Sequence, residues 1–139
     1  MTAPGAALID TGPLVALLDR DDRHHPECLE AFRRLRVPPV TTWPVLTEAS
    51  YLLAGVEGGP AALLDLIRCG AVHVALLETA DVPRMRQLLL RYADLPADLA
   101  DCSLLRVAER DGFATILTLD RKDFAVYRVQ GRRALTVVP

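Results

Sequence analysis

Two short, largely apolar runs, residues 6–9 and 115–119, each end abruptly in an aspartate, Asp10 and Asp120. Runs of this length bounded by turn signals suit fully buried strands of a parallel sheet. Residues 13–18 then resume as an apolar helix with Pro13 in its first turn, and either Asp10 or Thr11 stands where a cap is needed. The rest of the chain alternates in the same way. His25-Pro26 opens a second helix through Cys28, Leu29, Phe32 and Leu35; residues 40–42 form a short strand; and Trp43-Pro44, capped by Thr42, starts a third helix. A glycine-rich break at 55–60 precedes a helix over 61–67 closed by Gly70, and residues 72–76 read as a strand. From Thr79 a helix runs through Met85, Leu88, Leu89 and Tyr92, with Arg84, Arg86 and Arg91 outward, until Asp94-Leu95-Pro96 ends it. Asp98 caps the next helix and Gly112 stops it; residues 121–124 form a tight basic turn, and residues 135–138 a last strand.

This alternation predicts an α/β fold in three α/β/α layers around a mostly parallel sheet. In the open sheets of such folds chemistry sits beyond the carboxyl ends of the strands, which is where Asp10 and Asp120 fall. Two helical carboxylates share the apolar stripes of their helices. Glu48 lies among Val45, Leu46, Ala49, Leu52 and Leu53, and Asp101 precedes Leu104, Leu105 and Ala108 by three, four and seven positions. A carboxylate on a core-facing stripe is costly unless paired, protonated or bound to a cation. Each acid taken alone also has a plain reading, as a cap or a side chain reaching for the rim.

Composition narrows the class. The chain of 139 residues, 51% hydrophobic, is expected to be one domain spanning 1–139. No apolar run approaches the roughly 18 to 20 residues of a membrane span, and residues 1–5 lack a signal-peptide pattern, which points to the cytoplasm and no membrane partner. Cys28, Cys69 and Cys102 fit neither a disulfide framework nor a zinc spacing and are expected as buried, reduced thiols; His24 and His25 lack a third ligand and suit a solvated helix start. A net charge of −2 gives no global pull toward nucleic acid. Four oxygen-donor acids, Asp10, Glu48, Asp101 and Asp120, suit a hard cation, Mg²⁺ or Mn²⁺.

At these residues the chain resembles the PIN-domain nucleases, in particular the VapC-type ribonuclease toxins of toxin–antitoxin pairs. The pieces that carry the resemblance are A-L-I-D-T-G-P-L-V-A-L-L-D, T-T-W-P-V-L-T-E-A, D-L-A-D-C-S-L-L and I-L-T-L-D-R-K-D-F-A-V-Y-R, in the family's order and spacing. The resemblance implies a PIN-like fold and a metal-dependent endoribonuclease, with the metal-site acids at Asp10, Glu48, Asp101 and Asp120 and a matched hydroxyl at Thr118. One or two ions would activate water for attack on a phosphodiester, leaving 5′-phosphate and 3′-hydroxyl ends. Thr11, Asp98 and Asp123 take supporting roles. Arg121, Lys122, Arg128, Arg132 and Arg133 follow Asp120 as candidates for contacting the RNA backbone. A cognate antitoxin would mask the site, and a homodimer is an assembly open to the family. Cys102 departs mildly from the small residue usual at its position. The alternatives are a housekeeping PIN nuclease without an antitoxin and, remotely, an aspartic protease, whose active-site tripeptide Asp10-Thr11-Gly12 matches.

Overall fold

The computed structural model describes residues 5–95 and 97–139; the proline of the helix end expected at Asp94-Leu95-Pro96, and the first four residues, which lack a signal-peptide pattern, lie outside them. Among these residues five strands, β1 (Leu8–Ile9), β2 (Val40–Thr41), β3 (His73–Val74), β4 (Thr115–Leu117) and β5 (Thr136–Val138), form one sheet in the order β3-β2-β1-β4-β5. Every pairing between them is parallel. The strands are shorter than the apolar runs that predict them.

Among the described residues, seven helices connect the strands: α1 (Thr11–Leu18), α2 (His25–Arg33), α3 (Trp43–Leu52), α4 (Gly59–Arg68), α5 (Val82–Arg91), α6 (Leu99–Asp111) and α7 (Arg121–Val126). A short 3₁₀ turn, Thr79–Asp81, leads into α5. The chain moves outward from β1 to β2 to β3 and then returns across the sheet to β4 beside β1, so the direction of winding reverses between β1 and β4. Right-handed crossovers put the helices of the first half on one face and those of the second half on the other. Accordingly α1 packs on α2, α3 and α4, and α5 on α6, while α3 and α6 meet. The Thr42 and Ser103 hydroxyls are hydrogen-bonded at 2.6 Å across that meeting.

An all-parallel sheet must be covered on both faces, and the core shows it. Leu8, Ile9, Ile116 and Leu117 are fully buried, packed with Leu14, Leu46, Leu104, Leu105 and Phe124. This parallel sheet also excludes the aspartic-protease reading, whose folds are all-β.

Some local expectations change. Residues 121–124 do not form a turn: they begin α7, because the Asp120 carboxylate accepts the Asp123 N–H and caps a helix there. Leu52, assigned to the buried stripe of α3, is exposed, whereas Val45, Leu46, Ala49 and Leu53 are buried. Cys28 and Cys102 are buried free thiols, pushed up to about 11 by burial first and by nearby carboxylates second, but Cys69 is exposed. The His25 Nδ1–H donates to the Ala16 carbonyl at 2.7 Å, joining α2 to α1.

Arg84 turns inward rather than outward. Its guanidinium holds Glu109 of α6 through two bonds of 2.9 and 2.7 Å, and Glu109 also accepts the Gln130 N–H. Only 6% of the Glu109 side chain is exposed, so Arg84→Ala would leave a shielded carboxylate without its charge partner. The expected cost is about 2 kcal/mol, read as a lower urea midpoint with an unchanged slope.

Candidate active site

Asp10 leaves β1 at the point where the winding of the sheet reverses, and Asp120 lies just beyond β4, the neighbouring strand. The Asp10 N–H still bonds the Leu117 carbonyl at 2.9 Å, so the ladder between β1 and β4 runs up to the acid itself. One Asp10 oxygen accepts the Thr11 N–H at 2.8 Å and makes Asp10 the N-cap of α1. The other accepts the Thr118 hydroxyl at 2.8 Å, and that hydroxyl in turn accepts the Asp120 N–H at 3.0 Å. Thr118, itself fully buried, therefore ties the two strand-exit acids together.

Capping and site placement are not rivals here. Asp10, Asp98 and Asp120 each cap a helix, and the cap geometry fixes where each carboxylate points. Asp98 accepts the Asp101 N–H at 2.8 Å, which starts α6 and leaves the Asp101 side chain free to turn elsewhere. It turns to Tyr127, whose hydroxyl donates to Asp101 at 2.9 Å. Tyr127 is buried edge-on between Phe124 and Tyr92, with ring centroids 5.0 and 4.9 Å away. The Tyr92 hydroxyl accepts the Arg128 N–H, so this aromatic wedge is itself pinned. Sequence reading missed Tyr127. Its only signal is an aromatic three positions after Phe124, and nothing in that spacing says that, from just past the end of α7, it reaches back to Asp101.

The electrostatics set these carboxyls apart. Burial pushes Asp10 up to about 6; the Thr11 and Thr118 hydrogen bonds oppose this, and Glu48 and Asp120 add to it. Burial also pushes Asp101 up to about 7, reinforced by Asp98, Asp10 and Asp120 and opposed by the Tyr127 hydroxyl. Asp120 is raised as well, by burial first and then by Asp123 and Asp98, against its bond from the Asp123 backbone. Burial, together with Asp101 beside it, holds the Tyr127 phenol far above its usual range, so it remains a hydrogen-bond donor. Glu48 is half-buried and faces an open cleft with Asp98. Among the described residues, none of the four acids has an arginine, lysine or histidine ion-pair partner.

These acids feel one another without closing into a shell. Among the described residues, no three His, Cys, Asp or Glu side chains stand close enough to hold an ion as they are. Repulsion explains the looseness, since two carboxylates about 5 Å apart repel by roughly 3 kcal/mol at an effective dielectric of 20. A set of partly desolvated oxygen donors with no basic side chain to neutralise it fits a hard divalent cation. The Thr11 hydroxyl beside Asp10 is buried and, among the described residues, also has no hydrogen-bond partner.

The basic residues after Asp120 do not form one free patch. Arg121 and Lys122 are exposed at the start of α7, with Arg121 bonded to the Pro139 carbonyl. Arg128 folds its guanidinium onto the carbonyls of Ala125, Val126 and Tyr127, at the end of the same helix. Arg133 reaches the Phe113 carbonyl at 3.3 Å, and Arg132 is exposed.

A parallel sheet whose winding reverses at a pair of acids defines the class, and comparison agrees. The chain belongs to the PIN-domain family, whose model matches residues 7–130. Over 135 residues it is 31% identical to Ribonuclease VapC26 of Mycobacterium tuberculosis, a match covering 95% of this chain and 99% of that protein. In fold it is similar to the crystal structure of M. tuberculosis VapC20, described as a Sarcin-Ricin loop cleaving toxin, with a TM-score of 0.79 at 18% identity over 96% of this chain and 99% of the other. A toxin–antitoxin complex from Klebsiella pneumoniae shares the fold with a TM-score of 0.69 at 19% identity, covering 96% of each chain. Among the described residues, no helix is long and apolar enough to cross a membrane.

Proposed function

We propose that this protein is a divalent-metal-dependent endoribonuclease, the toxin of a toxin–antitoxin pair, acting in the cytoplasm. The observation that carries the reading is the set of raised, unneutralised carboxyls, Asp10, Asp101 and Asp120, with Glu48, at the switch point of the sheet. The relationship to VapC26 over nearly the whole chain supports RNA as the substrate.

Asp10, Glu48, Asp101 and Asp120 would hold Mg²⁺ or Mn²⁺, one or two ions, which when bound supplies charge stabilisation at the phosphoryl group and acidifies water. The protein's own part is placement. Thr118 fixes Asp10 against Asp120, Asp98 and Tyr127 between them fix Asp101, and Asp123 supports Asp120 from the first turn of α7. Of the basic residues, exposed Lys122 and Arg132 are placed to meet phosphates on either side of the cut; Arg121, Arg128 and Arg133 do so only by giving up carbonyl bonds.

Apolar groove between α3 and α4, lined by Leu46, Pro60, Ala61, Leu63 and Leu64, offers an antitoxin segment a seat close to the site. Partner-free protein should cut RNA with Mg²⁺ or Mn²⁺, leave 5′-phosphate ends, and stop with EDTA. Its expression should slow growth, and co-expression with the product of the adjacent small gene should restore it. RNA cleavage without growth rescue by any neighbouring product would favour a nuclease that works without an antitoxin.

A further inference from the structure

Trp43 is the single tryptophan of the chain, and it stands 52% exposed at the first position of α3. Tyr51, two helical turns further along, is 80% exposed. Positions 43, 47 and 51 repeat every four residues and so form one stripe, its aromatic ends about 12 Å apart along the helix axis. Glu48 lies between those ends and lines the same open cleft, of about 670 Å³, with Trp43, Thr47, Tyr51 and Asp98.

We propose that this stripe is a stacking platform for unpaired nucleobases flanking the phosphate that is cut, an inference that rests on the ribonuclease reading above. The composition of the cleft selects the ligand. Among the described residues no lysine or arginine lines it, and it carries Glu48 and Asp98, so it suits the flat, neutral face of a base rather than the phosphate backbone. Continuity with Glu48 puts that base beside the scissile bond. The Thr47 hydroxyl donates to the Trp43 carbonyl at 3.0 Å and is not offered to a base edge. Recognition by the stripe is therefore by stacking, tolerant of which base is present, and it selects bases that are free to leave their neighbours, as in loops and single strands.

Trp43 reports on its own occupancy. Asp101→Asn protein in Mg²⁺ is titrated with a short unstructured oligoribonucleotide labelled at one end, following tryptophan emission and label anisotropy together; the same sequence as a duplex is the comparison. Saturable quenching by the single strand, several-fold weaker for the duplex, is expected. In otherwise wild-type protein, Trp43→Leu should raise KM for a loop substrate about tenfold, and Trp43→Phe should recover most of that loss. Anisotropy that reports binding while emission stays constant, or a Trp43→Leu KM equal to wild type, would overturn the platform while leaving the nuclease intact. A blue shift of emission with protein concentration and a doubled mass on sedimentation would give the stripe to a second copy and overturn it too. Wild type that neither binds nor cuts RNA would instead show the failure of the nuclease reading itself.

Discussion

Asp101→Asn is expected to stabilise the metal-free protein and to destroy its activity. In the free protein Asp101 is desolvated and repelled by Asp98, Asp10 and Asp120, which together push it up to about 7. Near neutral pH its ionisation is therefore a cost to the fold. Asparagine removes the charge and keeps an oxygen to accept the Tyr127 hydroxyl. Discounted for the partial exposure of the side chain, the gain is about 1 to 2 kcal/mol, or about 5 °C in melting temperature. Cleavage should fall by about 100- to 1000-fold, because a lost ligand removes several kcal/mol of transition-state charge stabilisation. Asp98→Ala should move stability the other way, down by about 1 kcal/mol, since its role is the N-cap of α6. Thermal melts in EDTA for both variants read these opposite signs, and a destabilised Asp101→Asn protein would make Asp101 a structural side chain.

Stability of the metal-free wild type is expected to decline as pH rises from about 4 to about 7. The unfolded chain releases the Asp10 and Asp101 protons near 3.8, whereas the folded chain keeps them until about 6 and about 7. Between those limits the folded state binds more protons, so the slope of unfolding free energy against pH is negative, and it flattens above the higher value. For Asp10, 7% exposed, the rise from 3.8 to about 6 corresponds to about 3 kcal/mol. Opposite behaviour comes from Asp81, Glu109 and Asp111. The Glu78 backbone bond, with Arg106 and Arg110, lowers Asp81; burial raises Glu109, but Arg84, the Gln130 N–H and Arg106 together lower it; and Arg110 lowers Asp111. Their contribution is present above the ordinary carboxylate range and is lost only as pH falls through their depressed values. Maximum stability in EDTA should thus lie near pH 4 to 5, and Asp10→Asn should flatten the decline above it. Urea midpoints from pH 4 to 8 measure both, and a wild-type midpoint that climbs steadily to pH 7 would contradict the raised carboxyls.

Why so much of the site is legible in sequence, and some is not, follows from the range of each interaction. Asp10 and Asp120 are visible because a buried strand followed by an acid has few other meanings, and Asp98 and Gly112 because caps are local; Gly112 does adopt the left-handed conformation, φ 82°, that stops α6. Partners distant in sequence leave no such trace. Arg84 presents as a solvent-facing charge until α6 brings Glu109 to it, and Tyr127 carries no sign in the sequence of its bond to Asp101, 26 positions earlier. Lys122 and Arg121 look like turn residues because the pattern does not reveal that Asp120 caps a helix over them. Arg128 and Arg133 look available for phosphate, but backbone carbonyls within their own neighbourhood claim them first.

That Asp10, Glu48, Asp101 and Asp120 form a metal site is tested most directly by titrating Mn²⁺ into partner-free protein and counting bound ions by electron paramagnetic resonance. One or two ions per chain are predicted, lost in Asp10→Asn and Asp101→Asn proteins that remain folded. Saturating Mn²⁺ should also raise the wild-type melting temperature, because an ion held only by the folded state stabilises it by mass action. Binding that persists undiminished in both variants, or folded wild type that binds no ion, would contradict it.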